Sequence, residues 1–561
     1  MGVRVWLFLL LGPAAYCQLS EKQRVFDFQQ LASVFAKNYA PYEWKRDALK
    51  FDLYEVAPWL ERVRAAQDDL EFWEVCAMYV ASLRDSHAGV SFPSNFAATI
   101  SATADIYGGK VLIESVTRST LPADRFPFTR GDEIVSVDGR PIAEWLDQTI
   151  HLLGEGSERA ARRWAAGYLF NRPQSVFPTA ARLGGTLKLG VRLASGEVRE
   201  FEIPWTKRGY PLPGAGRTPN PVAGLWSRTP KLASGERPYY EEFLEALDRK
   251  SMRETPRVTG YGARAPYYSL PSNFVQRLGR RTTDFHYSGI YEAGGKRIAF
   301  LRIPSFQPSS SAAAAQELET EVAFFKDNAD GLVVDITRNP GGSCYGLEAL
   351  RRLIPQPFQL PADEIRATLS TSYAAELALI DARNRRAEPV VIERLERIFR
   401  EVRNALAEDR GRTSPLPFCG STVDQLPAMD STGKVLAYTG PLVLLVDELT
   451  ASWGDIFAAV IQDNRRGTLF GMFTNGAGGS YDTAPAGFFS EMTASFTNTI
   501  SVRQRVVQTS WAGVTGYLEN TGVEPDIFYD FMTRENFDNS GRPFVEAFTA
   551  AILAEIAKEQ R

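Results

Sequence analysis

The chain has 561 residues, too many for one hydrophobic core, so two to four domains are expected. It is 44% apolar and 23% charged, which excludes global disorder, and a net charge of -4 gives no general attraction to nucleic acid or anionic membrane. The opening run MGVRVWLFLLLGPAAYCQLS places one arginine before an apolar stretch, Val5 to Leu11, and then small residues. That order predicts a secretory signal peptide over residues 1–17, cleaved near Ala15 to Cys17. Tyr16 is bulky where a lipid-attachment site takes a small residue, so an anchor on Cys17 ranks second. No later segment is apolar enough to span a bilayer, so the mature chain is expected without a membrane span. Cys76, Cys344 and Cys419 would remain, with room for one bridge of unspecified pairing. Three histidines (His87, His151, His286) leave little for a His-rich metal site, so no metal and no cofactor is expected.

Residues 18–103 read as a helical region. Val25, Phe28, Leu31 and Phe35 share one helical face, as do Phe72, Cys76, Tyr79 and Leu83. The second of these helices is expected to end near Arg84 and to deliver His87 at its exit. Residues 104–205 change to strand patterns: IYGGKVLIESV, then TRGDEIVSVDGRPI with Asp138-Gly139 at a turn, then a hairpin in LKLGVRLASGEVREFEIPW. A helix from Ala143 to Leu153 lies between, and residues 154–185 read as an insertion. Gly131, Asp132, Ile134, Val137, Asp138 and Gly139 make this region resemble a PDZ-like domain, a module that binds extended peptides by strand addition. Residues 206–287 are a Pro/Gly/Arg-rich connection. From 288 to 561 short apolar runs (RIAFLRI, GLVVDI, PLVLLV) alternate with helical stretches, the pattern of a buried, mostly parallel sheet. A charged helical insertion near 361–430 interrupts it. Val545, Phe548, Ile552 and Ile556 mark an amphipathic closing helix.

Ser452 follows the strand PLVLLVDE and opens the helix of ASWGDIFAAVIQDN. A hydroxyl on a tight strand-to-helix turn, beside the positive helix end, suits a nucleophile, and the Trp453 N–H is placed to donate to an oxyanion. Gly341-Gly342 in DITRNPGGS lets backbone approach a substrate carbonyl and offers a second donor. Each piece alone is common, since a serine also caps helices. Asp455 reads as helix-dipole charge without a catalytic role, Trp453 and Phe457 as packing, and His151 and His286 as structural.

In order, IAFLRIPSF, GLVVDITRNPGG, PLVLLVDELTASWGDIFAAVIQDN, GTLFGMFTNGAGG and LENTGVEPDI resemble the tail-specific (C-terminal processing) serine peptidase family. The resemblance implies a crotonase-like ββα core in an α/β chain, with an inserted PDZ-like domain and a helical N-terminal region. It departs at the base. The Ser–Lys members carry lysine in a GKG that here reads Gly476-Ala477-Gly478, and Tyr481 stands where they have glutamine. Between Lys434 and Lys558 there is no lysine at all. The segment LRDSHAGVSF instead resembles the Ser–His–Glu branch. That branch implies a secreted or periplasmic serine endopeptidase with Ser452 as nucleophile, His87 as general base and Glu519 as orienter, and with Gly341 or Gly342 plus Trp453 forming the oxyanion hole. Glu524 is the fallback acid and Asp85 a competing orienter. The same branch implies protein or peptide substrates, a homodimer, and a connection that lies across the cleft until cut. The alternative is a peptide- or ligand-binding protein on this fold that has lost its chemistry.

Overall fold

The computed structural model describes residues 18–214, 237–252, 258–509 and 512–559. The expected signal peptide and much of the Pro/Gly/Arg-rich connection lie outside the described residues.

The centre is a seven-stranded sheet. Its strands run Val275–Leu278, Tyr287–Ala293, Lys296–Arg302, Gly331–Asp335, Leu442–Val446, Thr468–Gly471 and Ile527–Phe528 in spatial order. The first two junctions are antiparallel and the remaining four are parallel. Strand alternation explains the unbroken apolar runs. Ala299, Leu301, Leu332, Val334, Leu442 and Leu444 face the helices Ser311–Asn328, Tyr345–Leu353 and Trp453–Asp463. Ile298, Phe300, Val333, Val443 and Leu445 face the closing helix Arg542–Glu559 through Phe544, Phe548, Ile552 and Ile556. A sheet covered on both faces has no polar face to alternate with. The charged insertion is a helical hairpin, Leu369–Asn384 and Pro389–Ala407, with its own small core around Leu395, Ile398 and Val402.

The PDZ-like region forms a separate six-stranded sheet that includes Ala102–Tyr107, Lys110–Val116, Glu133–Val137, Thr186–Arg192 and Val198–Pro204. Asp138 (φ 50°) and Gly139 (φ 77°) turn its Glu133–Val137 strand back on itself with both residues left-handed, as tight hairpin turns require. The helix expected from Ala143 to Leu153 spans Ile142–Ile150. Residues 154–185 contain a second helix, Glu158–Tyr168, whose Ala165 and Ala166 belong to this domain's core.

The N-terminal helices Glu21–Asn38, Ala57–Ala65 and Asp69–Ala81 pack against Ala486, Met492, Ala494 and Phe496, which come from the end of the chain. The strand Gly89–Ser91 then pairs antiparallel with Thr493–Thr497, Gly89 opposite Ser495. These two contacts carry residues 85–88 into the centre of the molecule. The last helix before them stops at Ala81 rather than near Arg84. Arg84 adopts φ 52°, and the Lys45 ammonium takes the carbonyls of Leu83 (2.8 Å) and Arg84 (3.0 Å), so a side chain serves acceptors that a longer helix would have used.

Candidate active site

Ser452 lies between the strand Leu442–Val446 and the helix Trp453–Asp463, at φ 62° and ψ -115°. A non-glycine residue is rarely found there, and such strain gathers where a side chain must be presented on a sharp turn. The turn is held from below. Asp455 Oδ2 accepts the N–H of Ser452 (2.7 Å) and of Ala477 (3.1 Å), and Oδ1 accepts the N–H of Gly476 (2.8 Å). Burial pushes the Asp455 carboxyl up to about 6, opposed by those N–H groups and by Thr474. Asp455 therefore anchors the Gly476-Ala477 loop, where a Ser–Lys enzyme would carry its base. The sequence alone offers Asp455 only a dipole role, because its loop partners are remote in sequence.

His87 Nε2 is 2.9 Å from Ser452 Oγ, and both residues are fully buried. The imidazole stacks on Tyr481 at 5.8 Å and 22°, and the backbone N–H of His87 donates to Asp85 Oδ1 (2.8 Å). Burial lowers the imidazole to about 4. The Asp85 charge opposes this, and Lys250 and Lys45 reinforce it. The ring is thus neutral near pH 7, which a general base requires.

Glu519 is fully buried in the adjoining cluster. Its Oε1 is 2.7 Å from Lys45 Nζ and its Oε2 accepts the Gly478 N–H (3.2 Å). Burial and the neighbouring Asp85 charge push it up to about 8, against the pull of Lys45 and that N–H. Asp85 goes the other way. Burial raises it, but Lys45, His87 and the hydroxyls of Thr497 and Tyr39 (2.8 Å each) outweigh that and hold it below the usual carboxylate range. His87 Nδ1 has no hydrogen-bond partner among the described residues. In this conformation Glu519 adjoins the His87 loop through Lys45 and does not hydrogen-bond to the ring. Glu524 is exposed, outside the cluster. His286 bridges Glu317 (2.8 Å) and Tyr345 (2.5 Å) in the core, and His151 ends a PDZ-domain helix.

Gly341 (φ 87°) lies directly against the serine. A methyl group there would sit 2.5 Å from the Lys250 carbonyl oxygen, 2.7 Å from Ser452 Cβ and 2.8 Å from the Trp453 nitrogen. The Gly341 N–H donates to Asn339 Oδ1 (2.8 Å), while Gly342 pairs with Lys250 and Gly341 with Ser251 in a short antiparallel ladder. The chain's own 250–251 segment thus lies along the glycine strand and covers the serine. Trp453 is buried between Phe306 and Phe418. The bridge that sequence left open is Cys344–Cys419, just beyond the glycine pair, and Cys76 is free and buried.

Residues 297–528 match the peptidase family S41 model, and residues 102–212 match a PDZ domain. A protein of Chlamydia trachomatis serovar D is 25% identical over 595 residues, covering 95% of this chain and 94% of that protein. A protein of Chlamydia pneumoniae is 24% identical, over 95% of this chain and 90% of its own length. The crystal structure of mature CPAF superposes with a TM-score of 0.75 at 21% identity, covering 96% of this chain and 99% of that one, which establishes a shared fold. Residues 297–528 thus form a peptidase family S41 domain, and the chain is a serine-type peptidase with an N-terminal helical region and a PDZ domain.

Proposed function

We propose that the chain is an endopeptidase that cleaves protein or peptide substrates through an acyl-enzyme on Ser452. The observation that carries this is the 2.9 Å contact between Ser452 Oγ and a buried, neutral His87, set against the glycine strand. Ser452 Oγ attacks the scissile carbonyl carbon while its proton passes to His87 Nε2. The imidazolium then protonates the leaving amine as the C–N bond breaks, and water repeats the sequence to release the acid. The N–H groups of Trp453 and Gly342 would hold the oxyanion once the 250–251 segment withdraws, the Gly341 N–H being taken by Asn339 Oδ1. Glu519 is the proposed orienter of His87; its place beside Lys45 and the His87 loop favours it over the exposed Glu524, with Asp85 as the competing group. The covered serine favours a chain that is latent until this segment moves or is cut. A secreted or periplasmic location accords with the leader-like N-terminus and with the Cys344–Cys419 bridge, since disulfides persist in oxidising compartments.

The test is labelling by a fluorophosphonate probe. Wild type whose 250–251 segment has withdrawn or been cut should label, and Ser452→Ala and His87→Ala treated alike should not. A folded, processed wild type that never labels and cuts no peptide returns the chain to the alternative of a binding protein.

A further inference from the structure

Lys250 is unusual among the lysines. Its side chain is fully buried, and its ammonium group is 2.5 Å from Asp363 Oδ2 and 3.0 Å from Ser480 Oγ, with the Phe418 ring 4.8 Å away as one wall. Asp363 is itself almost wholly buried. It also accepts from Ser501 Oγ (2.7 Å) and Thr499 Oγ1 (3.1 Å), so the strand Ala362–Ile365 presents a carboxylate fixed by hydroxyls at the end of the space that the Lys250 side chain fills. The backbone end of that space lies beside Ser452. The Lys250 carbonyl oxygen shares the space around Gly341 with Ser452 Cβ and the Trp453 nitrogen, and Lys250 is aligned with Gly342 as an added strand would be. A residue with its backbone on the glycine strand, its carbonyl beside the serine and its side chain in the adjoining pocket occupies the position of a substrate residue about to be acylated.

Accepting the serine endopeptidase reading on which it rests, we infer that this is the primary specificity pocket and that Asp363 selects substrates with lysine or arginine at the residue whose carbonyl is attacked. When Lys250 leaves, Asp363 becomes a buried carboxylate without a cation. A substrate ammonium or guanidinium restores the pair, whereas a neutral side chain of the same length leaves the charge uncompensated. A site built around a charged or hydrogen-bonded partner rejects analogues lacking it far more strongly than an apolar slot rejects a missing methylene. Nothing but the acyl-enzyme chemistry above is required; Asp363 acts on binding and positioning, and the bond made and broken at Ser452 is unchanged.

The experiment uses the full chain and fluorogenic peptides identical except for lysine, arginine, norleucine or glutamate before the scissile bond. Wild type should show kcat/KM for lysine or arginine at least about 100-fold above norleucine, with glutamate lowest. In Asp363→Asn the lysine-to-norleucine ratio should collapse toward one. If that variant does not fold, the wild-type ratio decides alone. A wild type that labels with fluorophosphonate yet cuts norleucine peptides as fast as lysine peptides, or cuts no basic peptide, overturns the specificity while the serine peptidase reading stands. Absence of both labelling and cleavage even after limited proteolysis that cuts the 250–251 segment overturns that reading, and the specificity with it.

Discussion

Lys45 Nζ lies 2.7 Å from Glu519 Oε1 and 4.0 Å from Asp85 Oδ2, and all three side chains are buried. One cation thus faces two carboxyl groups, and it also holds the carbonyls of Leu83 and Arg84, whose loop carries His87. Removing one member of a buried ionic cluster leaves the others unpaired, which typically costs about 3–5 kcal/mol. Lys45→Met is therefore expected to lower unfolding free energy by about that amount in denaturant titrations. The double variant Lys45→Met/Glu519→Gln should recover part of the loss. A single variant costing under about 1 kcal/mol would show that the cluster is not closed as described.

Glu519 also sets a pH slope. Its folded value of about 8 lies above the ordinary 4.5, so between those values the native state binds a proton that the unfolded chain does not. The stability this contributes is complete below about 4.5 and is lost as pH rises through about 8. Wild type should accordingly lose stability relative to Glu519→Gln across that window. Parallel pH profiles for the two proteins would contradict a raised Glu519.

His87 runs in the opposite sense. Its folded value of about 4 lies below the ordinary 6.5, so the unfolded chain takes up a proton first and stability falls as pH drops from about 6.5 toward 4. Reactivity needs the neutral ring. The rate of fluorophosphonate labelling should therefore rise with pH through an inflection well below 6.5 and stay flat around neutrality. Withdrawal of the Lys250 charge, one of the influences that lower the ring, moves this inflection upward. An inflection at or above 6.5 would show that the imidazole is not held in the dry surroundings described.

Much of this arrangement was legible in the chain. The strand runs RIAFLRI, GLVVDI and PLVLLV are apolar because both faces of their sheet are covered, and Ser452 follows the last of them as a nucleophile on a strand-to-helix turn would. His87 was legible only through its motif, since 365 positions separate it from Ser452 and the pairing of Gly89–Ser91 with residues near 495 is what closes that distance. Lys45, Asp363 and Lys250 were not legible. Nothing local distinguishes a buried lysine from a solvated one, and the Lys250–Asp363 and Lys45–Glu519 pairs each join segments more than a hundred residues apart. Asp455 looked like ordinary helix charge for the same reason: the Gly476-Ala477 amides it holds belong to another loop.

The glycine strand gives a sharper test than the serine itself. Gly341 has φ 87°, which side-chain-bearing residues adopt at a cost, and an added methyl would lie within 2.8 Å of the Lys250 carbonyl, Ser452 Cβ and the Trp453 nitrogen. Gly341→Ala should therefore displace both the nucleophile and whatever occupies the strand position beside it. Loss of one oxyanion donor alone lowers kcat about 100- to 1,000-fold, and the same order of loss is expected here. Steady-state kinetics with a peptide that the wild type cuts reads this directly; a variant within tenfold of wild type would place the reacting carbonyl somewhere other than this strand.

The Cys344–Cys419 bridge closes the loop that contains Asp363 and the charged helical hairpin. It also fixes two parts of the site, since Cys344 follows the glycine pair and Cys419 follows Phe418, the wall of the Lys250 pocket. Cross-linking so long a loop restricts the unfolded chain, and removing it should cost about 2–4 kcal/mol. Cys344→Ser/Cys419→Ser is expected to unfold at correspondingly lower denaturant. Because the bridge ties the glycine strand to the pocket wall, the variant should also raise KM for peptides that fill the pocket. A loss of stability without change in KM would assign the bridge to the scaffold alone.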